Sequence, residues 1–257
     1  MSHYYQITDP HRAFLREDIN TPAQSRREWL KTGEKIVASV TEKLKVAPSP
    51  FFNKYRVKEA IRITRENPHL DDATIMQLIW QTRKHPVTGE QVGSAEWGTQ
   101  CHKQLELAMN GEWEPNEWEP FVQPFVSWAL ERDLEVLATE TVIASIDPLF
   151  NTAGTIDLLA RTRNDGKVAL FDYKTRRVSE GGDIKRKYLP KDCQQLASES
   201  FMIRNMMELD YNPKIFTVII NTEDGDTHVK QWTYKAFEKG LAKAMYCFKF
   251  FDDMNEL

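Results

Sequence analysis

The spacing of apolar residues along this 257-residue chain changes near residue 93, and the change predicts two regions. In residues 1–93 the apolar positions are sparse and follow helical spacing, with prolines and acidic residues where helices are expected to start and end. We therefore predict a helical N-terminal region over residues 1–93. Its predicted helices are Thr21–Lys31, Glu34–Leu44, Lys54–Glu66 and Ala73–Thr82.

Residues 94–257 combine helical spacing with runs of strand-forming residues. The predicted order is two helices, three strands, a helix, two strands and a helix. This order predicts an α/β (α+β) fold with a central mixed β-sheet flanked by helices. In chain order, the predicted elements are the helices Ser94–Met109 and Phe121–Arg132, the strand Leu134–Ile146, the hairpin Gly154–Lys174, the helix Asp192–Leu209, the strands Lys214–Asn221 and His228–Thr233, and the helix Lys235–Asp252.

Charged residues interrupt both strands of the hairpin Gly154–Lys174, which is predicted to turn at Asp165-Gly166. Alternation places Asp157 opposite its apolar neighbours, and it places Asp172 and Lys174 on one face of the second strand. Buried carboxylates cost desolvation free energy unless a cation compensates them. Two carboxylates on adjacent strands form a site that Mg²⁺ accepts, and a neighbouring lysine can orient a metal-bound water. A structural Asp–Lys pair in a partly exposed hairpin is the alternative that these residues leave open.

Charge narrows the ways in which this chain could bind nucleic acid. Its formal net charge of −4 argues against coating nucleic acid by bulk charge, so such binding needs a local basic patch. Residues 174–191 supply one, with seven basic residues against Glu180 and Asp183. The basic residues are Lys174, Arg176, Arg177, Lys185, Arg186, Lys187 and Lys191. The patch is either a solvated loop or a phosphate-binding segment that begins at the predicted metal site.

Composition excludes several other classes of protein. Cys101, Cys193 and Cys247 are far apart, so neither a zinc knuckle nor an iron–sulfur cluster has its usual ligand spacing. The sequence has no Gly-x-x-x-x-Gly-Lys-Ser/Thr loop, so we expect no ATP cofactor and no ATP-driven motor. No apolar run is long enough to span a bilayer, and Met1–Arg12 lacks a signal-peptide pattern. We expect a cytoplasmic protein without a membrane partner.

Five features, in order along the chain, resemble the RecB-like exonuclease branch of the PD-(D/E)xK nuclease superfamily. They are Gly98-Thr99-Gln100-Cys101-His102 on the first core helix, Glu140 on the first strand, Gly154-x-x-Asp157 and Asp172-Tyr173-Lys174 in the hairpin, and Gln194-Gln195-Leu196-Ala197 on the next helix. The resemblance covers residues 96–221 and implies a restriction-endonuclease-like core. One departure is Glu199, which stands where the family usually has a tyrosine four residues after the glutamine. The cysteines that hold an iron–sulfur cluster in several relatives are absent.

The resemblance implies hydrolysis of DNA by a water molecule activated by one or two Mg²⁺ or Mn²⁺ ions. The implied metal ligands are Asp157, Asp172, His102 and the backbone carbonyl of Tyr173. Lys174 would position and polarise the attacking water, and Glu140 would bind a second metal directly or through water. From its position beside the helix core alone, His102 is interpreted as a structural residue, and the resemblance makes it a metal ligand. The implied DNA contacts are Gln194, Gln195, Thr175, Arg176, Arg177, Lys185, Arg186 and Lys187.

The resemblance also implies a biological role. We expect an exonuclease that degrades DNA from its ends, with a preference for single strands, in recombination, repair or phage DNA metabolism. Residues 1–93 would cover or gate the active site and admit only a single strand. A single-strand annealing or recombination protein is an expected partner. Two alternatives stay open: a catalytically silent DNA-binding module of the same fold, and a structure- or sequence-specific endonuclease.

Overall fold

The computed structural model describes residues 3–9, 12–46, 50–80, 83–147 and 150–255. Its N-terminal part contains a small antiparallel sheet of three strands, β1 (Tyr4–Asp9), β2 (Arg12–Leu15) and β3 (Ile36–Ala38), in the order β2-β1-β3. Helix α1 (Pro22–Thr32) lies between β2 and β3, and the short helix α2 (Val40–Lys43) follows β3. The prediction of a helical N-terminal region is therefore wrong for the residues that form β1, β2 and β3.

The predicted helix Glu34–Leu44 is wrong because two local signals divide it. Gly33 ends α1 with a φ of 75°, a backbone conformation that glycine adopts at low cost. Ser39 begins α2, where its side chain accepts a hydrogen bond from the Glu42 backbone N–H. Between these residues, Ile36–Ala38 is fully buried and pairs with β1, so tertiary pairing overrides the helical spacing.

The other three predicted N-terminal helices are confirmed. The first of them is α1, and the other two are helix α3 (Pro50–Glu66) and helix α4 (Asp72–Trp80). Helices α3 and α4 pack together through a small buried cluster formed by Ile63, Ile75 and Ile79. The predicted end of the last helix, at residues 81–82, lies outside the described residues. A short strand pair, β4 (Arg83–Lys84) and β5 (Gln91–Val92), then leads into the core.

The core is one mixed sheet with helices around it. In chain order, its elements are α5 (Ser94–Met109), α6 (Glu119–Glu131), β6 (Leu134–Ser145), β7 (Thr152–Thr162), β8 (Val168–Arg176), α7 (Pro190–Met206), β9 (Lys214–Asn221), β10 (Thr227–Gln231) and α8 (Tyr234–Asn255). The strand order is β10-β9-β8-β7-β6. Strands β8 and β9 are parallel, because α7 crosses from the end of one to the start of the other. The predicted central mixed sheet flanked by helices is confirmed.

Helices cover both faces of this sheet. On one face α5 and α6 contribute Trp97 and Phe125 to a buried cluster with the sheet. On the other face α7 and α8 contribute Leu196 and Phe248 to a second cluster. Polar side chains inside a sheet that is covered on both faces need partners, so they mark positions of interest. Among the described residues, no helix has both the length and the apolar character that crossing a membrane requires.

The N-terminal sheet is attached to the core beside β7. The Thr152 hydroxyl donates a hydrogen bond to the Ala38 carbonyl at 2.9 Å. The buried Lys43 ammonium forms an ion pair with Asp252 of α8 at 2.5 Å. These contacts hold β3 and α2 against the core. The domain boundary at residue 93 stays a prediction.

Candidate functional site

The two hairpin aspartates lie where strands β7 and β8 separate. The antiparallel pairing of these strands ends at Leu158 opposite Phe171. Asp157 and Asp172 are the next residues of the two strands beyond that pair. There the Asp157 carboxylate accepts a hydrogen bond from the Tyr173 backbone N–H at 2.6 Å. A side-chain contact therefore continues where the strand ladder stops, and it brings the two aspartates to the same place in the sheet.

His102, Glu140 and Asp157 converge on one point between α5 and the sheet. The Nδ1 atom of His102 is 3.7 Å from Asp157 Oδ1 and 4.0 Å from Glu140 Oε1. Each residue offers one donor atom, and these atoms all lie within 4.8 Å of one another. An imidazole nitrogen with carboxylate oxygens is a donor set that divalent cations accept. These three residues could therefore hold a metal ion.

Gly98 explains how His102 reaches this point. A Cβ atom at Gly98 would lie 3.2 Å from Thr175 Oγ1, so the absence of a side chain lets α5 approach β8 closely. His102 follows four residues later on the same face of the helix. Its ring meets the Tyr173 ring edge-on, with 5.6 Å between the centroids. The glycine and the histidine at this spacing therefore act together in positioning the imidazole.

Glu140 has a strained backbone conformation. Its φ is 43°, in the left-handed region that costs a non-glycine residue about 1–3 kcal/mol. In the β6–β7 register it lies opposite Asp157, so the strain occurs at the carboxylate cluster. Burial, together with the negative charges of Asp157 and Glu106, raises the pKa of Glu140 to about 7. Its carboxyl group is therefore about half protonated near neutral pH, unless a cation binds beside it.

Lys174 begins a chain of polar contacts that leads from β8 into α7. Its ammonium donates hydrogen bonds to Asp172 Oδ1 at 2.6 Å and to Gln195 Oε1 at 3.3 Å. The Gln195 amide in turn donates to Glu199 Oε1 at 3.1 Å. Burial alone would lower the pKa of Lys174, but the carboxylates of Asp172 and Asp157 outweigh burial and raise it. The ammonium therefore stays charged.

Asp172 has one oxygen without a partner. The residue is 2% exposed, and within the described part of the chain its Oδ2 atom makes no hydrogen bond. Burial raises the pKa of Asp172, the Lys174 ammonium opposes that rise, and Asp157 adds to it. A buried acceptor without a donor costs about 1–3 kcal/mol, and more when it is charged. A bound cation would remove this cost, so the Oδ2 atom fits the role of a metal ligand.

Glu199 is a site residue that the sequence revealed only as a departure from a motif. It is 2% exposed, and burial together with the charge of Asp172 raises its pKa well above the ordinary value. A Cβ atom at Gly154 would lie 3.5 Å from Glu199 Oε1, so the glycine leaves room for this carboxyl group. Gln195 and Glu199 are four residues apart on one helical face, a spacing that could have indicated their contact. Glu199 is therefore a buried carboxyl group behind Lys174 whose pKa is raised.

The predicted DNA contacts on α7 and β8 lie in different surroundings. Gln195 reaches Lys174, whereas the adjacent Gln194 is buried on α7. Thr175 is half-buried beside Gly98. The Tyr173 ring is buried, and its backbone N–H is used by Asp157. The proposed use of its carbonyl oxygen stays a prediction.

The predicted basic contacts begin at Arg176, the last residue of β8, and continue along the connection that follows this strand. Arg176 forms an ion pair with Asp192 at 3.0 Å, and Arg177 forms one with Glu223 at 3.1 Å. The remaining three residues belong to a short 3-10 helix, Ile184–Lys187, and they are Lys185, Arg186 and Lys187. Their binding to DNA stays a prediction.

A cavity of about 490 Å³ opens beside His102 and Glu140. The core contributes Glu199 to its wall, and the N-terminal strand β1 contributes Tyr5. The Tyr5 hydroxyl is hydrogen-bonded to the Thr155 hydroxyl at 3.0 Å. A larger cavity, of about 750 Å³, lies between β3 and α8 and is lined by none of the clustered carboxylates. Chemistry, and not size, therefore identifies the candidate site.

Comparison with known proteins gives distant similarities. No protein-family model matches the chain, and neither does any curated protein. The crystal structure of SSO0001 is similar over 73% of this chain and 69% of that chain, with 14% identity and a TM-score of 0.33. A provisionally named exonuclease from Eubacterium rectale is similar over 76% of this chain and 61% of that chain, with 11% identity and a TM-score of 0.32. Similarity at this level carries no conclusion about function.

We expect the cation affinity of this site to fall as the pH falls through 7. A proton and a cation compete for the Glu140 carboxylate, whose pKa is about 7, so the charged form is available above that pH and lost below it. Mn²⁺ binding, measured by titration calorimetry, should be at least about tenfold weaker at pH 6 than at pH 8.

In the variant Glu140→Gln the ratio of the Mn²⁺ affinities at pH 8 and pH 6 should be about tenfold smaller, because its amide does not take up the competing proton. Glu135→Gln changes an exposed carboxylate on the same strand and is the matched control. If Glu140→Gln bound Mn²⁺ with the same pH dependence as the unmodified protein, Glu140 would not be a ligand of the cation.

Proposed function

We propose that this protein is a metal-dependent deoxyribonuclease of the RecB-like branch of the PD-(D/E)xK superfamily. One observation carries the proposal: Asp157, Asp172 and Lys174 meet where β7 and β8 separate. A stable hairpin does not need these groups, because each must be desolvated. Phosphodiester hydrolysis does need them, since it uses carboxylate ligands for a cation and a positively charged donor nearby.

The donor set supports one or two Mg²⁺ or Mn²⁺ ions as the cofactor. His102, Glu140 and Asp157 bring their donor atoms within 4.8 Å of one another, and Asp172 offers a buried oxygen without a partner in the described chain. The backbone carbonyl of Tyr173 is a further candidate ligand. When bound, such a cation polarises the scissile phosphate and lowers the pKa of a coordinated water.

We assign Lys174 to the reacting water and phosphate. Its carboxylate neighbours keep the ammonium protonated against the opposing effect of burial. There it donates a hydrogen bond to the attacking water, or to a non-bridging phosphate oxygen, and stabilises the negative charge that develops in the transition state. Gln195 holds the ammonium in place, and Glu199 holds Gln195. The raised pKa of Glu199 favours its neutral form, which carries no charge that would repel the phosphate.

We infer that the substrate is a DNA end, with a preference for a single strand. Tyr5 and Thr155 join the N-terminal sheet to the core at the wall of the cavity beside Glu140. A cavity of about 490 Å³ is of the size that holds one small ligand, which suits one nucleotide at a strand end better than a duplex. This supports a gating role for the N-terminal region and an exonuclease in recombination, repair or phage DNA metabolism.

We expect the purified protein to release labelled nucleotides from linear single-stranded DNA in Mg²⁺ or Mn²⁺, and none in EDTA. Asp172→Asn and Lys174→Ala should each lower the rate by at least about 10²-fold to 10³-fold, because each removes a charge that stabilises the transition state. Oligonucleotides labelled at the 5′ or 3′ end, single-stranded and duplex, together with a covalently closed single-stranded circle, measure the activity and its polarity.

Arg163→Ala, an exposed change in the hairpin turn, is the matched control for these variants. Circular dichroism and thermal unfolding verify that every variant folds. Equal cutting of the closed circle would identify an endonuclease. A folded, metal-loaded protein that cuts no DNA would favour the silent DNA-binding module.

We expect Glu199→Gln to keep most of the nuclease rate and Glu199→Ala to lose about tenfold or more. The glutamine carbonyl can accept the hydrogen bond from Gln195 as the Glu199 carboxyl oxygen does, whereas alanine leaves Gln195 without this partner in a buried site. Steady-state cleavage of a linear single strand measures both variants. A loss in Glu199→Gln as large as that in Asp172→Asn would instead mean that Glu199 acts as a charged ligand.

A further inference from the structure

A cluster of three aromatic rings and one lysine lies two strands away from Lys174, and the proposed chemistry does not use it. We call it the β10 cluster, and its residues are Tyr188, His228, Lys230 and Trp232. Lys174 pairs with Ile219 of β9, and Ile219 pairs with His228 of β10. Residues paired in this way face the same side of a sheet. Since neighbouring strands lie about 4.8 Å apart, the two backbones are about 10 Å apart.

Contacts within the β10 cluster fix its groups in place. The Lys230 Nζ atom lies 3.8 Å from the centroid of the Trp232 ring and 4.8 Å from that of Tyr188. The Tyr188 hydroxyl donates a hydrogen bond to the His228 carbonyl at 2.7 Å. The Trp232 indole N–H donates to the Thr217 hydroxyl at 2.9 Å. A ligand that binds here would therefore not have to order these side chains first.

The charges of this surface favour an anion. No salt bridge joins Lys230 to a carboxylate within the described chain, whereas the Lys43 and Lys174 ammonium groups are each paired with an aspartate. Burial lowers the pKa of His228, and the nearby positive charges of Lys185 and Lys230 lower it further, against Asp226 and Asp183. The Lys230 ammonium lies over two rings and forms no ion pair with a carboxylate in the described chain, so a phosphate can pair with it.

Single-stranded nucleic acid fits this combination of groups. Proteins bind single strands by placing aromatic rings against the bases and basic side chains along the phosphates. The basic 3-10 helix Ile184–Lys187 leads directly into Tyr188, so the positive surface continues along the chain. A stacked strand advances about 3.4 Å per nucleotide, so a separation of about 10 Å corresponds to about three nucleotides.

We propose that the β10 cluster binds the DNA single strand about three nucleotides from the scissile phosphate. Lys230 contacts a phosphate, and the rings of Tyr188 and Trp232 contact bases. The identity of this strand as the substrate rests on the proposed nuclease function. Because the cluster does not touch the reacting atoms, it sets the affinity for long strands and leaves the chemical step unchanged.

The variant Lys230→Gln tests this proposal, because it removes the charge and keeps most of the side chain. Fluorescein-labelled oligothymidines of 12 and 3 nucleotides are bound to the full chain in EDTA at several NaCl concentrations, and anisotropy is measured. We expect about tenfold weaker binding of the 12-mer and an unchanged affinity for the 3-mer. The slope of log affinity against log salt should fall by about 0.7, the value for one phosphate contact on a single strand.

Two further variants serve as controls. Lys230→Arg keeps the positive charge and the ring contacts, so it should bind the 12-mer as the unmodified protein does. Lys239→Gln removes an exposed charge from α8 and should change nothing. A loss of affinity in Lys230→Arg equal to that in Lys230→Gln would overturn the phosphate contact, because packing and not charge would then be responsible.

Other outcomes separate this proposal from the proposed nuclease function. Equal affinity and equal salt slope in Lys230→Gln and the unmodified protein would overturn the proposal that the β10 cluster binds the strand. A loss of affinity for the 3-mer as large as that for the 12-mer would overturn it as well. If the protein cuts no DNA but Lys230→Gln binds the 12-mer about tenfold more weakly, the binding role of the β10 cluster is supported and the proposed nuclease function is wrong. If the protein is a nuclease and Lys230→Gln leaves both KM for the 12-mer and kcat unchanged, the proposed nuclease function is supported and the binding role of the β10 cluster is wrong.

Discussion

The desolvation of Asp172 is the constraint on which the candidate site depends. Asp172 lies in a sheet that is covered on both faces, and one of its oxygens has no hydrogen-bond partner in the described chain. Its other oxygen is held by Lys174, which is held by Gln195 and through it by Glu199. Helix α7 thus serves the site as well as the core. These contacts leave part of the desolvation free energy of Asp172 uncompensated. A bound cation would offset this part, so metal binding and stability are coupled.

Burial and mutual repulsion sort the carboxyl groups of the site into different roles. Burial is the largest cause of the raised pKa of Glu140, of Asp172 and of Glu199. Glu140 titrates near neutral pH. Asp172 is paired with a lysine, and the raised pKa of Glu199 favours its neutral form. Groups whose environments move their pKa values apart are typical of catalytic sites. Glu199 supports the lysine through Gln195, while Glu140 and Asp172 are available to a cation.

The sequence predicted those parts of the fold that depend on local pattern. The hairpin turn at Asp165-Gly166 is confirmed, with Gly166 at a φ of 66°, and the apolar runs around it form β7 and β8. Once the hairpin is placed, the closeness of Asp157 and Asp172 follows from the strand register. Local pattern was sufficient here because each residue interacts with neighbours close in the chain.

Contacts between distant segments could not be predicted from the local sequence pattern. Helical spacing predicts a helix over Ile36–Ala38, but these residues form a strand because they pair with β1, about 30 residues earlier. The Tyr5–Thr155 contact joins residues that are 150 positions apart, and it brings the N-terminal sheet to the cavity. Glu199 was seen only as a departure from a motif, since its role depends on a glycine in β7 and a lysine in β8.

Crystals grown with Mn²⁺ give the most direct test of the central claim, that these side chains hold a divalent cation. An anomalous difference map collected at the manganese absorption edge locates the ion independently of any assay. We predict a peak enclosed by His102, Glu140 and Asp157, in contact with Asp172 Oδ2, and we predict that the peak disappears in Asp157→Asn crystals. A peak only at another place on the protein, or none in crystals that contain millimolar Mn²⁺, would contradict the claim.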